Sequence, residues 1–266
     1  MTRENPFAPV LVIEEEGPIR ILILNRPEDL NAANRDMHVA LGRVWRFLAD
    51  DTEARCVVLT GAGRAFSAGG DFDHIGNMRR DRTLRRQEIG TARALLREMI
   101  AFPLPIVAAV NGPAVGLGCS LAIMSDLVYM AESAHLADPH VAIGLTAGDG
   151  GAAYLPLTLS IVLAKEMVFF GDRIPSARAL ALGLVNEVVA DDAVLERALE
   201  SARRLAALPA QAVQSTKRAM NLAIERSTAA IIDIALESEF QSFDEPEHHQ
   251  VIERIRSART RGGSAS

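Results

Sequence analysis

Three short apolar runs decide what this chain can fold into: CVVLT at 56–60, IVAAV at 106–110 and LVYMA at 127–131. Each is rich in β-branched or other apolar residues, too short for a core helix, and closed by Gly61, Asn111 or Glu132. Each therefore reads as a strand buried on both faces. Such strands belong to sheets covered by helices. The helices are visible between them. Arg35–Ala49 carries Met37, Leu41, Val44, Trp45 and Leu48 at helical spacing, and 84–100 repeats the pattern until Pro103 and Pro105 stop it. Upstream, 10–16 and 19–24 flank Gly17-Pro18 as a hairpin that ends at Asn25-Arg26-Pro27. This alternation predicts an α/β fold with a parallel or mixed sheet.

Beyond Asp191 the strand signal stops. Ala-rich, charged helices are expected at 193–207, 211–226 and 228–243, with Pro209 separating the first two. The expected organisation is an α/β core over 1–191 and a C-terminal helical region over 192–266, with RTRGGSAS at 259–266 disordered. The 266 residues suit one large domain with such an appendage.

A net charge of −6 argues against a dominant nucleic-acid surface, because polyanion binding needs a positive field. Cys56 and Cys119 lie in apolar or Gly-rich runs, so neither a disulfide framework nor a metal site is expected, and a reducing compartment is. The first residues lack the basic and apolar segments of a secretory signal, and no apolar stretch reaches the roughly 20 residues of a spanning helix. A cytoplasmic protein without membrane contact is expected.

The chemistry concentrates in two glycine turns, each following a buried strand. PIVAAVNGPAVGLGCSL at 105–121 runs from strand through Gly-rich turn into a helix pattern, which presents free backbone N–H groups to an anion. RAFSAGGD at 64–71 is the second turn. Alone, the first turn reads more readily as a tight bend that needs glycine for its conformation. Converging, the pair would supply the donors of an oxyanion hole.

Four segments, NRPEDLNAAN at 25–34, AFSAGGD at 65–71, PIVAAVNGPAVGLGCSLAIMSD at 105–126 and FFGDRIPSARALALGLVNEVV at 169–189, resemble the crotonase, or enoyl-CoA hydratase/isomerase, superfamily. Their order and spacing extend the resemblance over nearly the whole chain. The resemblance implies a spiral of ββα units with a C-terminal α-helical trimerisation region, packed as a homotrimer or a dimer of trimers. It implies an acyl-CoA thioester as substrate, with no cofactor beyond the coenzyme A that the substrate carries. Carried over by position, it places the oxyanion donors at the backbone N–H groups of Gly70 and Leu117. It also puts Arg26, Leu30, Ala68, Gly69 and Gly116 along the substrate. Glycine is frequent at the position of Leu117; a leucine still offers its N–H while narrowing the acyl pocket.

The catalytic side chains depart from the family's pattern. Typical hydratases hold a water between two glutamates, and the corresponding positions here are Ser120 and His140. His140 has a side chain that titrates near neutrality and is a candidate base, against the alternative of a loop residue after Asp138-Pro139. Ser120 is a candidate for holding a water. Asp149, in GLTAGDGG, is a second proton-transfer candidate or nucleophile, against the alternative of a turn or cap carboxylate. Among weaker candidates, Asp71 reads as a helix cap, His74 as a residue within reach of the pocket, and Tyr154 as packing. The arginines at 79, 80, 82, 85 and 86 read as a solvated helix face. His135, His248 and His249 lack metal-ligand spacing, and no metal is expected.

The leading expectation is an enzyme that stabilises a thioester enolate and moves a proton with His140, assisted by Ser120 or Asp149. Double-bond migration fits slightly better than hydration, because one shuttling base suffices. The alternatives are hydrolysis of a thioester, C–C or C–halogen bond by His140 with Asp149, or non-catalytic acyl-CoA binding.

Overall fold

The computed structural model describes residues 4–262. In chain order the strands are β1 (Leu11–Glu16), β2 (Ile19–Leu24), β3 (Cys56–Gly61), β4 (Ile106–Val110), β5 (Ala114–Val115), β6 (Leu127–Ala131), β7 (His135–Ala137), β8 (Ile174–Pro175) and β9 (Glu187–Val189). The helices are α1 (Arg35–Ala49), α2 (Phe72–Arg80), α3 (Arg82–Ala101), α4 (Leu117–Ile123), α5 (Gly151–Thr158), α6 (Ile161–Phe170), α7 (Ser176–Ala181), α8 (Val194–Ala206), α9 (Ala210–Ser242) and α10 (Pro246–Gly262). The main sheet has the order β1-β2-β3-β4-β6-β9, antiparallel only in its opening hairpin, and β5, β7 and β8 form a second small sheet.

β3 and β4 are buried along their full length, as their unbroken apolar runs require. Helix α8 packs on β3, β4 and β6, while α9 lies along α3 and α5. Trp45 and Phe102 meet edge to face in the core, with ring centroids 5.3 Å apart.

Three local expectations change. The segments read as separate helices at 211–226 and 228–243 are one continuous helix of 33 residues, because packing along α3 outweighs the polar Arg226-Ser227 interruption. Residues 259–262 of the C-terminal tail continue α10, and 263–266 lie outside the described residues. The arginine cluster is not uniformly solvated. Arg85 is 2% exposed, bonds the carbonyls of Met78, Arg79 and Phe240 and the carboxylate of Asp244, and lies over the rings of Phe240 and Phe243. It ties α2 and α3 to the end of α9.

Asp71 is the cap that its position suggests. Its Oδ1 accepts the N–H groups of Asp73 and His74 at 2.9 and 3.1 Å, and its Oδ2 lies 3.3 Å from Arg26 Nη1. Asp71→Ala should cost about 1 kcal/mol of stability in urea unfolding; an unchanged midpoint would show that the cap contributes nothing.

Candidate active site

The two glycine turns run side by side. Ser67 N–H donates to Pro113 O at 3.0 Å and Val115 N–H donates to Ser67 O at 2.9 Å. The approach is so close that a Cβ on Gly69 would lie 2.7 Å from Val115 O. Gly69 has φ +87° and Gly116 has φ +52°, conformations that side chains disfavour. Around Gly70 the neighbouring amides are occupied: Gly69 N–H donates to Ser67 Oγ and Asp71 N–H to Ala33 O. Leu117 is the first residue of α4, where an N–H has no carbonyl within its own helix. Gly70 and Leu117 both line a cavity of about 180 Å³.

Gly116 joins this pair to the ionisable residues. A Cβ there would stand 3.4 Å from His140 Cε1 and 3.9 Å from Gly69 Cα. His140 is held between two carboxylates, with Nδ1 2.5 Å from Asp138 Oδ1 and Nε2 3.3 Å from Asp149 Oδ1. Burial alone would disfavour the imidazolium, but the charges of Asp149 and Asp138 prevail and hold His140 well above the ordinary histidine range. Glu239, from α9, lines the same cavity as His140 and Asp149. Burial, reinforced by the charge of Asp149, pushes its carboxyl from the usual 4.5 up to about 8. Asp149, the imidazolium of His140 and the neutral carboxyl of Glu239 therefore line one cavity with Gly70 and Leu117.

The chain that carries this cavity matches a known family over most of its length. The sequence profile described as enoyl-CoA hydratase/isomerase matches residues 14–257. The chain belongs to the enoyl-CoA hydratase/isomerase family. It is 33% identical to a short-chain-enoyl-CoA hydratase of Clostridium acetobutylicum over 237 residues, covering 88% of each chain. It is 32% identical to a 1,2-epoxyphenylacetyl-CoA isomerase of Escherichia coli over 231 residues, 85% of this chain and 86% of that one. A crystal structure of an enoyl-CoA hydratase/isomerase from Mycobacterium paratuberculosis, 47% identical, superposes with a TM-score of 0.90 over 92% of this chain and 98% of the other. The expected crotonase-like α/β fold is borne out, and the chain is an enzyme of the hydratase/isomerase family.

Within this enoyl-CoA hydratase/isomerase frame the sequence-derived residues separate. Ala68, Gly69, Gly70, Gly116, Leu117, His140 and Asp149 line the cavity. Arg26 and Leu30 do not; Arg26 pairs with Asp29 and Asp71, while Leu30 O accepts the N–H of Ala68 and so braces the turn from behind. Ser120 is also outside the lining. Its Oγ is buried without a hydrogen-bond partner and packs against Gly150, where a Cβ would come within 2.7 Å of it. His74 lines the cavity, whereas Tyr154 is buried packing. Both cysteines are free and buried. Among the described residues no group of His, Cys, Asp or Glu has metal-ligating geometry, and no helix is long and apolar enough to cross a membrane.

Glu239 and Asp138 went unread in the sequence as functional residues. A signal for Glu239 exists: it falls on the helical stripe of Ile232, Ala235, Leu236 and Phe240, a carboxyl on a buried apolar face. Between pH 4.5 and about 8 the folded protein retains the Glu239 proton that an unfolded chain has released. This group therefore stabilises the fold most at low pH, and its contribution declines as pH rises through that window. Glu239→Gln should flatten the decline. Melting temperatures of both proteins across the window test this, and a difference that does not change with pH would contradict it.

Proposed function

We propose that this enzyme moves a proton next to the carbonyl of an enoyl-CoA thioester, migrating its double bond through an enolate held by the N–H groups of Gly70 and Leu117. The observation that carries the reading is the contact at Gly116, which brings the backbone donors and the His140–Asp149 pair to one cavity. Preorganised donors aimed at the developing oxyanion lower the cost of the enolate. His140 is the base expected from sequence. Between Asp138 and Asp149 its favoured form is the imidazolium, which has no proton-accepting nitrogen, so the accepting role passes to the Asp149 carboxylate. In this scheme Asp149 takes the proton from one carbon of the allylic system and returns it to another. His140 orients the carboxylate and offsets its charge.

Hydration is the second reading, favoured by Glu239. A neutral carboxyl lining the same cavity as Asp149 provides the acid and base that the substituted family positions, Ser120 and His140, do not. Incubation with 2-enoyl- and 3-enoyl-CoA thioesters separates the two. A shifted double bond at unchanged mass means isomerisation, and a gain of one water means hydration. Binding without conversion of any enoyl thioester would overturn both.

Assembly of copies into trimers or paired trimers is part of the proposal. Helix α6 leaves Ile161, Val162, Phe169 and Phe170 exposed, an apolar surface of the kind that subunit contacts cover. Light scattering that reports a monomer would remove this part.

A further inference from the structure

A second group of ionisable side chains lines the same cavity and has no part in the proton transfer above. His38 comes from α1, His74 from the first turn of α2, and Glu88 from the buried stripe of α3. Their placement is fixed by independent local devices. Asn34 caps α1, Asp71 caps α2, and Glu88 lies between Arg85 and Ala92 on the inward face of α3. Glu88 is 3% exposed and His74 is 8% exposed. Glu88 Oε2 lies 2.6 Å from His38 Nδ1 and 3.5 Å from His74 Nε2, so both imidazoles face this carboxylate. Arg35 Nε is 3.8 Å from the other carboxylate oxygen, on a side chain that is largely exposed. Burial would raise the Glu88 carboxyl, but the two neighbouring imidazoles outweigh it and bring it down to about 2, so it is ionised.

The rest of that wall is hydrocarbon: Phe72, Ile75, Met78, Ile89, Ala92 and Phe243. Those side chains suffice for a plain acyl chain, and a plain chain would offer no partner to the ring nitrogens of His38 and His74 that face away from Glu88. That arrangement is costly and uncommon in folded proteins.

We infer that the acyl group of the substrate carries an oxygen substituent beyond the thioester, a hydroxyl, keto or carboxylate group, and that His38 and His74, anchored on Glu88, hydrogen-bond it. This deepens the acyl-CoA reading and rests on it. The imidazoles project from helices rather than loops, so they are held ready for the ligand. A site built to pair a substrate oxygen discriminates strongly against an analogue that lacks it, because the site's own polar groups are then left stranded.

The test uses the purified full chain with enoyl-CoA thioesters of one chain length, unsubstituted or carrying a terminal hydroxyl, keto or carboxylate group. An unreactive saturated acyl-CoA serves as the binding control. The expected result is a kcat/KM at least about 10²-fold higher for one oxygenated thioester than for the hydrocarbon. The ratio should collapse towards one in His74→Leu and in Glu88→Gln and be partly retained in His74→Gln, whereas damage to the fold alone would depress all substrates together. Equal turnover of all four by the wild type would overturn this inference and leave the acyl-CoA reading standing. Failure to bind any of the thioesters, the control included, would overturn both.

Discussion

Asp149→Asn is expected to lower kcat on an enoyl-CoA by about 10²- to 10⁴-fold while changing the affinity for an unreactive acyl-CoA little, because a general base contributes to the transition state rather than to binding. The amide has the shape of the carboxylate but accepts no proton at neutral pH. The change also removes one of the two carboxylates that hold His140 protonated, so the imidazole pKa should fall towards its ordinary value. Stopped-flow turnover with a parallel binding titration separates the two effects. If the Asp149→Asn variant turns over at the wild-type rate, the proton passes elsewhere; a loss of turnover together with weakened binding would instead assign the effect to the cavity's shape.

Gly116→Ala should be nearly as damaging for a different reason. Its φ of +52° is unfavourable for any side chain, and the new Cβ would stand 3.4 Å from His140 Cε1, between the turn that offers Leu117 N–H and the residue that orients Asp149. A displacement on the order of 1 Å in such a site costs roughly 10²-fold in rate. The backbone strain should cost about 1–2 kcal/mol of stability. Gly183→Ala is the control, since it shares a positive φ of 74° but its Cβ would meet nothing within 4 Å. Gly116 has in addition a ψ of −118°, outside the left-handed helical region, so Gly116→Ala should lose at least as much stability as Gly183→Ala, and only Gly116→Ala should lose most of its activity. Comparable activity loss in the two would assign the effect to strain rather than to the site.

Legibility from sequence followed the range of the interactions involved. Helix α1 matches its expected span because local signals agree: an apolar 3.6-residue period starts after the Asn34 cap. The strands at 56–60, 106–110 and 127–131 are visible as unbroken apolar runs, and all but Leu127 of their residues are buried. The two glycine turns point to a site only as a pair, through their motif, and the fold brings them side by side. What remained hidden depends on contacts between distant segments. The join between 226 and 228 looked like a break because nothing local reveals α3 running beside it. Glu239 approaches His140 from a helix about a hundred residues away in sequence, and Glu88 meets His38 and His74 only once α1, α2 and α3 have packed. Ser120 shows the reverse: it stands next to the motif in sequence, yet its hydroxyl turns to Gly150 rather than to the cavity.

The position of Glu239 and Phe243 in the cavity wall also bears on how the protein is made. Both arrive near the end of α9, after every strand of the sheet has already been synthesised. A nascent chain that has exposed the oxyanion turns, His140 and Asp149 still has an unclosed pocket, and the protonated carboxyl beside Asp149 is missing. In the proposed scheme, reactivity towards thioesters therefore waits for α9 to leave the ribosome and dock. Chains halted before that point would carry the glycine motifs of the family without the cavity wall that Glu239 and Phe243 supply.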